Sequence, residues 1–389
     1  MNTTRRNFLK TSGSGLAAIL ATSTAPSFLN GAHHASYKKL GLAIIGLGGY
    51  ATTNIAPEVK FTKNIQIAGV VTGNPATKGK TWAKRYGFDE DAIYTYDTIE
   101  KIANDDRIDL VHVALPNSMH AEFAIKAAKA GKHVMVEKPM ATSSEDCQAM
   151  IDAAKTAGVL LGVNYRLHWE PHHVRAIELL ADRAVGDLTN GNYEFSWGYY
   201  NGLTGPNKDK IKKWLLDPVM TGGGALFDTG VYPIQAACYL TGKEPVSVRG
   251  FAATRHPEIF PEGVEETMSY ELMFADGFQA ICRASYSHSF HECSTVGPNG
   301  KIEITPGERG SVFGQSGRGN PSPKLLFHNN KEIVLPQILQ QAALLEAFAS
   351  SIQAGKTSFK TPGEMGLRDI RIAEAVYESD RKGGISISV

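Results

Sequence analysis

The sequence predicts an α/β chain of two folded parts, and three observations carry that prediction. Strand and helix patterns alternate through residues 41–161; a glycine-rich turn, Gly46-Leu47-Gly48-Gly49-Tyr50-Ala51, follows the first strand directly; and after Leu161 the texture changes to strands joined by turn residues. Alternating strands and helices imply a parallel sheet with right-handed crossovers. The later succession of strands implies a largely antiparallel one.

Leu42–Ile45 is a short apolar strand, Ile65–Val71 a second, Leu110–Leu115 a third and His133–Val136 a fourth. Helical segments lie between them, including Thr77–Tyr86 with Gly87 just beyond its end, and Ala121–Ala130 closed by Gly131. Past Leu161, the segments Leu188–Tyr199, Val246–Ala253, Thr267–Phe274, Gln279–Ser285, Cys293–Val296 and Lys301–Thr305 read as strands, with Ala275-Asp276-Gly277 as one of the turns. Leu339–Gln353 and Gly366–Ser379 read as closing helices, and Gly314–Pro323, rich in Gly, Ser and Pro, as a loop. The chain divides accordingly into residues 1–35, 36–161 and 162–389. These are a leader with a short linker, a Rossmann dinucleotide-binding domain, and a C-terminal α+β domain with an open, mostly antiparallel sheet.

The leader carries Thr4-Arg5-Arg6-Asn7-Phe8-Leu9-Lys10 ahead of a weakly apolar run, Gly13–Ala21, with small residues such as Ala25 and Ala32 offering cleavage sites. That order is expected of a twin-arginine export signal, read by a translocase that carries folded proteins to the periplasm. The run is too short and glycine-rich to span a bilayer, so no membrane anchor is expected. A dinucleotide fold exported this way takes its cofactor along.

Without the leader about 355 residues remain, enough for two domains at roughly 100–200 residues each. Hydrophobic residues make up 42% of the chain, which allows full cores, and the net charge of +1 offers no field for nucleic acid or an anionic membrane. Cys147, Cys238, Cys282 and Cys293 lack metal-ligand spacing, so no metal is expected. Cys282 and Cys293 fall in neighbouring strand-like runs, but buried free thiols are favoured over a disulfide.

Gly46-x-Gly48-x-x-Ala51 sits after a strand and opens a helix, the context that dinucleotide binding requires. Gly46 permits the tight turn, Gly48 lets the backbone approach a pyrophosphate, and Ala51 keeps the helix close to the sheet. The second strand ends in Val71-Thr72-Gly73-Asn74 with Lys78 behind it. No carboxylate is present there to bond a ribose 2′-hydroxyl, whereas Thr72, Asn74 and Lys78 can hold a 2′-phosphate, so NADP is favoured over NAD. The third strand ends Leu115-Pro116-Asn117-Ser118-Met119-His120 and the fourth Glu137-Lys138-Pro139, both at the sheet edge where open α/β folds bind ligands. Farther on, Gly222-Gly223-Gly224-Ala225-Leu226-Phe227-Asp228-Thr229-Gly230-Val231-Tyr232 reads as a glycine run continuing into a helix. Asp228 and Tyr232, four residues apart, then share one face. An adjacent ammonium such as Lys138 would favour the Tyr232 phenolate and so make it a proton acceptor.

With these motifs in this order, the chain from Leu40 to its C-terminus resembles the glucose-fructose oxidoreductase, inositol dehydrogenase and rhizopine-catabolism (Gfo/Idh/MocA) family of sugar oxidoreductases. Thr72 before Gly73-Asn74, the Tyr165-Arg166-x-His168 run and tyrosine rather than histidine at position 232 are closest to the periplasmic glucose-fructose oxidoreductase branch. The resemblance implies that Lys138, Asp228 and Tyr232 carry the chemistry, that Tyr165, Arg166 and His168 line the sugar pocket, and that the open sheet serves a homo-oligomer, a dimer or tetramer. NADP contacts are expected from Gly46, Leu47, Gly48, Gly49, Tyr50, Thr72, Asn74, Lys78, Leu115, Pro116, Asn117, His120, Glu137 and Lys138. The implied reaction oxidises an aldose at C1 to the lactone, and a second sugar then takes the hydride back from tightly bound cofactor. The chain departs from that branch in one respect: only Ala32 to Lys39 separates leader and first strand, where the branch carries a long proline-rich arm over the cofactor. Loops such as Asn201–Lys213 are the alternative cover. Rival readings are a sugar or inositol dehydrogenase with dissociable NAD(P), a nicotinamide-dependent glycosidase, and an exported sugar-binding protein with a vestigial cofactor site.

Overall fold

The computed structural model describes residues 38–206, 208, 213–314 and 317–389. The export signal expected around Arg5-Arg6, and most of the linker after it, lie outside these residues. Two sheets organise the described chain. The first contains β1 (Leu40–Ile45), β2 (Ile65–Val71), β3 (Ile93–Tyr94), β4 (Leu110–Val113), β5 (His133–Val136) and β6 (Leu161–Val163), in the order β3-β2-β1-β4-β5-β6 and parallel throughout. Its strands are buried apolar runs because helices cover both faces. The strand order reverses between β1 and β4, so the loops leaving those strands open a crevice there.

The second sheet comprises β7 (Asn190–Ser196), β8 (Pro245–Ala253), β9 (Thr267–Phe274), β10 (Gln279–Ser285), β11 (Phe290–Gly297), β12 (Gly300–Pro306), β13 (Lys324–His328), β14 (Lys331–Ile333) and β15 (Ile387–Ser388). Their order is β14-β13-β12-β11-β7-β10-β9-β8-β15. Only the β7–β10 pair is parallel, so the sheet is mixed and mostly antiparallel. Strict alternation of burial along β9 shows one face on the core and one outward. The inward face lies on the helix Val231–Thr241, in which every residue from Val231 to Leu240 is buried. A helix apolar on all sides belongs in such a sandwiched position.

The four thiols are free and buried. Cys282 and Cys293 both stand opposite Tyr193, one on each side of β7, so two strand spacings of about 4.8 Å separate them and place them beyond disulfide reach. Burial pushes the Cys147 and Cys238 thiols up to about 12, which keeps them protonated and unreactive. The helix Gln340–Gln353 follows β14 in sequence yet packs on the first sheet. Leu344, Leu345 and Phe348 join Leu42, Ile44 and Val70 in one cluster, and Glu58 accepts from the Ala342 N–H at 3.0 Å.

Candidate active site

A cavity of about 1140 Å³ opens between the carboxyl edge of the first sheet and the end of β7. The glycine turn after β1 forms one wall. Gly46 has φ +94°, and a Cβ there would lie 2.5 Å from the Ala114 carbonyl, so only glycine fits. Around Gly48 nothing lies within 4 Å of where a side chain would begin, which leaves open space beside the backbone for a phosphate. The N-terminal part of the next helix is a five-residue π turn, Ala51–Ile55, in which the Thr52 N–H donates to Gly48 O at 3.0 Å.

Thr72 is buried at the end of β2 and its Oγ1 accepts from the Asn74 N–H at 3.2 Å, so its own proton is available to a ligand. Asn74 caps the following turn through Thr77 N, and Lys78 reaches the cavity wall. His120 lies 2.9 Å from both Leu115 O and Pro139 O, holding the ends of β4 and β5 together. Burial lowers its pKa, so the neutral ring donates to one of them at a time. Glu137 accepts from His112 Nε2 at 2.9 Å and Asn164 Nδ2 at 2.5 Å. Beside it, the Tyr50 phenol is held protonated, first by burial and then by the Glu137 charge. These residues fit a dinucleotide: an open glycine turn, backbone N–H groups at a helix start, and a hydroxyl with a lysine where a 2′-phosphate would lie.

The opposite wall is built from Lys138, Asp228, Arg166 and Tyr232. Lys138 Nζ donates to the Asp228 carbonyl at 2.6 Å and to Asp228 Oδ1 at 3.3 Å, and sits 4.9 Å from the centre of the Tyr232 ring. Asp228 belongs to a π turn, Leu226–Gly230, that leads into the helix Val231–Thr241. Burial opposes the ammonium, but Tyr232, Asp228 and Glu137 together outweigh it and hold the Lys138 pKa above its usual value.

The Tyr232 oxygen is bonded by a different cation. Arg166, 2% exposed, donates from Nη1 to the phenol oxygen at 2.9 Å and from Nη2 to Phe313 O at 2.6 Å. Burial works against this charge too, yet Tyr232 and Tyr50 raise the Arg166 pKa further above its already high value. Guanidinium cannot accept a hydrogen bond, so the phenol must direct its own proton elsewhere. Phe195 packs edge-on against the tyrosine ring at 5.1 Å.

Every residue expected to contact the nucleotide lines this cavity except Gly49. Of the expected sugar-pocket residues only Arg166 does so. Tyr165 is buried with its hydroxyl bonded to Asp369, and His168 packs on Tyr239 at 5.0 Å in the core, because in the 3₁₀ turn Arg166–Trp169 residues three apart share a face, and Arg166 points away from both. Burial, then Lys360, lowers the His168 pKa to about 3. Phe195, Trp197, Tyr199, Trp214, Ser289 and His291 also line the cavity and are absent from the sequence reading. The signal for three of them was present, since Leu188–Tyr199 read as a strand puts Phe195, Trp197 and Tyr199 on one face.

Residues 40–165 match the model of an oxidoreductase family with an NAD-binding Rossmann fold, and residues 173–318 that of the GFO/IDH/MocA C-terminal domain. The fold superposes on the crystal structure of an aldose-aldose oxidoreductase from Caulobacter crescentus complexed with glycerol. The TM-score is 0.80 at 33% identity, covering 90% of this chain and 100% of that one. A D-xylose 1-dehydrogenase [NADP(+)] of Haloarcula marismortui is 28% identical over 87% of this chain and 90% of its own length. A 1,5-anhydro-D-fructose reductase of Ensifer adhaerens is 25% identical over 79% and 87%.

Proposed function

Because the chain belongs to the Gfo/Idh/MocA family and is an NAD(P)-dependent oxidoreductase of sugar CH–OH groups, we propose that it oxidises an aldose at C1 to the lactone and returns the hydride to a second sugar from retained NADP. One observation carries the reading: a tyrosine oxygen held by Arg166 shares a cavity with the open glycine turn and with the Lys138–Asp228 pair. The likeness to an aldose-aldose oxidoreductase supports the two-sugar reaction, and the Thr72, Asn74 and Lys78 wall supports NADP.

The nicotinamide, when bound, supplies the hydride acceptor. Tyr232 takes the proton of the C1 hydroxyl as a phenolate and becomes the neutral phenol, and Arg166, donating to its oxygen, favours the charged form that can accept it. Lys138, tethered by Asp228, bonds the same sugar oxygen. The sequence reading gave Lys138 both tasks, preparing the tyrosine and bonding the sugar oxygen; Arg166 joins it in the first, donating to the phenol oxygen while the lysine lies 4.9 Å from the ring.

Retention of the nucleotide without a long arm is supported by the loop after β12. Ser311 and Gly314 line the cavity, and farther along the Arg318 N–H donates to the Thr53 carbonyl in the turn that follows the glycines. Export through the twin-arginine route to the periplasm rests on Arg5-Arg6 and the run behind it. A homo-oligomer is supported by Val246, Phe251, Ile281 and Phe290, exposed apolar residues on β8, β10 and β11; light scattering after gel filtration measures the subunit count.

The test of the reaction is nicotinamide fluorescence of protein gel-filtered without added cofactor. Glucose raises the signal and a second aldose or ketose lowers it. Protein that emerges without nucleotide but oxidises sugar on addition of NADP is an ordinary dehydrogenase, and the exchange mechanism is then wrong. Tyr232→Phe abolishes the rise while leaving bound nucleotide in place.

A further inference from the structure

We propose that His173 and Tyr239 are positioning residues for the proton acceptor: from behind the cavity they fix the main chain at Val312-Phe313, on which Arg166 rests while it holds the Tyr232 oxygen. That role deepens the reading of Tyr232 as proton acceptor and rests on it. Neither residue lines the cavity, and His173 is wholly buried. Its Nε2 lies 3.0 Å from the Val312 carbonyl and its Nδ1 2.6 Å from the Tyr239 hydroxyl. A carbonyl only accepts, so Nε2 carries the proton. Burial lowers the His173 pKa to about 4; Glu170 opposes that shift, while Lys324 and His172 add to it. The ring is therefore neutral at pH 7, and Nδ1 accepts from Tyr239, whose phenol burial keeps protonated. Each atom along the path has one role.

The path closes on itself. Arg166 Nη2 donates to Phe313 O at 2.6 Å, one residue from the carbonyl that His173 holds, and Nη1 donates to the Tyr232 oxygen at 2.9 Å. Tyr232 and Tyr239 stand two turns apart on the helix Val231–Thr241, so they project from one side of it. The circuit leaves this helix at Tyr239, crosses His173, Val312-Phe313 and Arg166, and returns to it at Tyr232. The Phe313 ring fills it, centred 6.2 Å from the His173 ring and 6.1 Å from that of Tyr232. His173 is itself fixed, because its N–H donates to Glu170 Oε2 at 3.1 Å in the first turn of the helix Pro171–Ala181. Val312 and Phe313 belong to neither helix nor strand, yet both are fully buried. A segment that carries the anchor of a catalytic hydrogen bond needs support from outside itself, and the buried histidine gives it.

The test places His173→Leu, His173→Gln and Tyr239→Phe in the wild type and in Arg166→Met. With glucose and NADP, His173→Leu lowers kcat by about fivefold or more and changes KM by less than about twofold. His173→Gln, whose amide can still donate to Val312 O, recovers most of the loss. Tyr239→Phe also lowers kcat, because a ring free to place its proton on Nδ1 turns a lone pair toward the carbonyl. In Arg166→Met each change lowers kcat by less than about twofold further, since it acts through the guanidinium. The full loss in that background, or a wild-type kcat in both His173→Leu and Tyr239→Phe, overturns the proposal. A thermal melt shows which variants fold; if His173→Leu does not, Tyr239→Phe alone decides. A second readout needs no turnover: the alkaline absorbance titration of Tyr232, taken as the difference between each protein and its Tyr232→Phe counterpart. His173→Leu and Tyr239→Phe move it up by about half a pH unit or more, as a loosened Arg166 favours the phenolate less. Lys138 and Tyr50, which also face Tyr232, are untouched by these substitutions. An unmoved titration overturns the positioning role whatever the substrate. If the titration moves while no sugar is oxidised, the reaction reading fails and the hold on Tyr232 stands.

Discussion

Replacing Arg166 with methionine separates two accounts of this residue that differ in kind. The guanidinium spends Nη1 on the Tyr232 oxygen and Nη2 on Phe313 O, and its buried Nε makes no hydrogen bond among the described residues. A hydrogen bond to a charged group contributes about 1.5–3 kcal/mol, and this one favours the charged tyrosine that accepts the substrate's proton. Its loss therefore lowers kcat by about 10- to 150-fold. The KM for the sugar changes little. Leaving Phe313 O without a donor costs about 1–3 kcal/mol of stability, while removal of a buried charge offsets part of that. A thermal melt first establishes that the variant folds. Steady-state kinetics with glucose, together with the primary isotope effect on glucose deuterated at C1, then report the chemical step. The isotope effect rises or holds as kcat falls. A kcat within about threefold of wild type refutes the role given to Arg166, and a raised KM with unchanged kcat makes it the sugar-pocket residue expected from the sequence.

Three other outcomes follow from the geometry. Lys78→Glu places a carboxylate on the wall where a 2′-phosphate would lie, and it lowers kcat/KM for NADP relative to NAD by about tenfold or more, read from initial rates with each cofactor. Gly317 has φ +73°, and a Cβ there would lie 2.5 Å from Asn54 Oδ1; Gly317→Val therefore lifts the loop after β12 and speeds loss of bound nucleotide on dialysis, with activity restored by added NADP. Lys324 is wholly buried and its pKa falls to about 7, by burial against the attraction of Glu170. Unfolded lysine keeps its proton to about pH 10.4, so the unfolded state binds more protons between pH 7 and 10 and stability rises with pH across that window, by up to about 1.4 kcal/mol per unit. Urea unfolding at pH 7 and pH 9 checks it, and Lys324→Met abolishes the rise.

What the sequence disclosed and what it concealed divide along physical lines. Ile65–Val71, Thr267–Phe274 and Gln279–Ser285 were legible to the residue, because apolar or alternating runs bounded by turn residues leave a strand little freedom to slide. The glycine turn and the strand-end Lys138 were legible because a parallel sheet puts all its loops at one edge. Short strands such as Ile93–Tyr94 and Lys331–Ile333 carry too few residues for any period to show. The helix Pro171–Ala181 went unread although Glu170 caps it and a proline opens it. Asp228 and Tyr232 were expected together on a regular helix; they do meet at the cavity, but through a π turn that no propensity signals. Ser289 and His291 reach the site because β11 pairs with β7 about a hundred residues away in sequence, and that pairing has no local signature.

A backbone acceptor gives the Lys138 tether a property that side chains alone lack. The shorter of its two contacts, at 2.6 Å, is made to the main-chain carbonyl, an atom that every residue at position 228 possesses. Substitutions of the Asp228 side chain change the charge around the lysine and leave its anchor intact. The position of the ammonium is thus set by the path of the turn rather than by the side chain at 228: Asp228→Asn leaves the lysine anchored, and its modification by an amine-reactive reagent stays as slow as in the wild type.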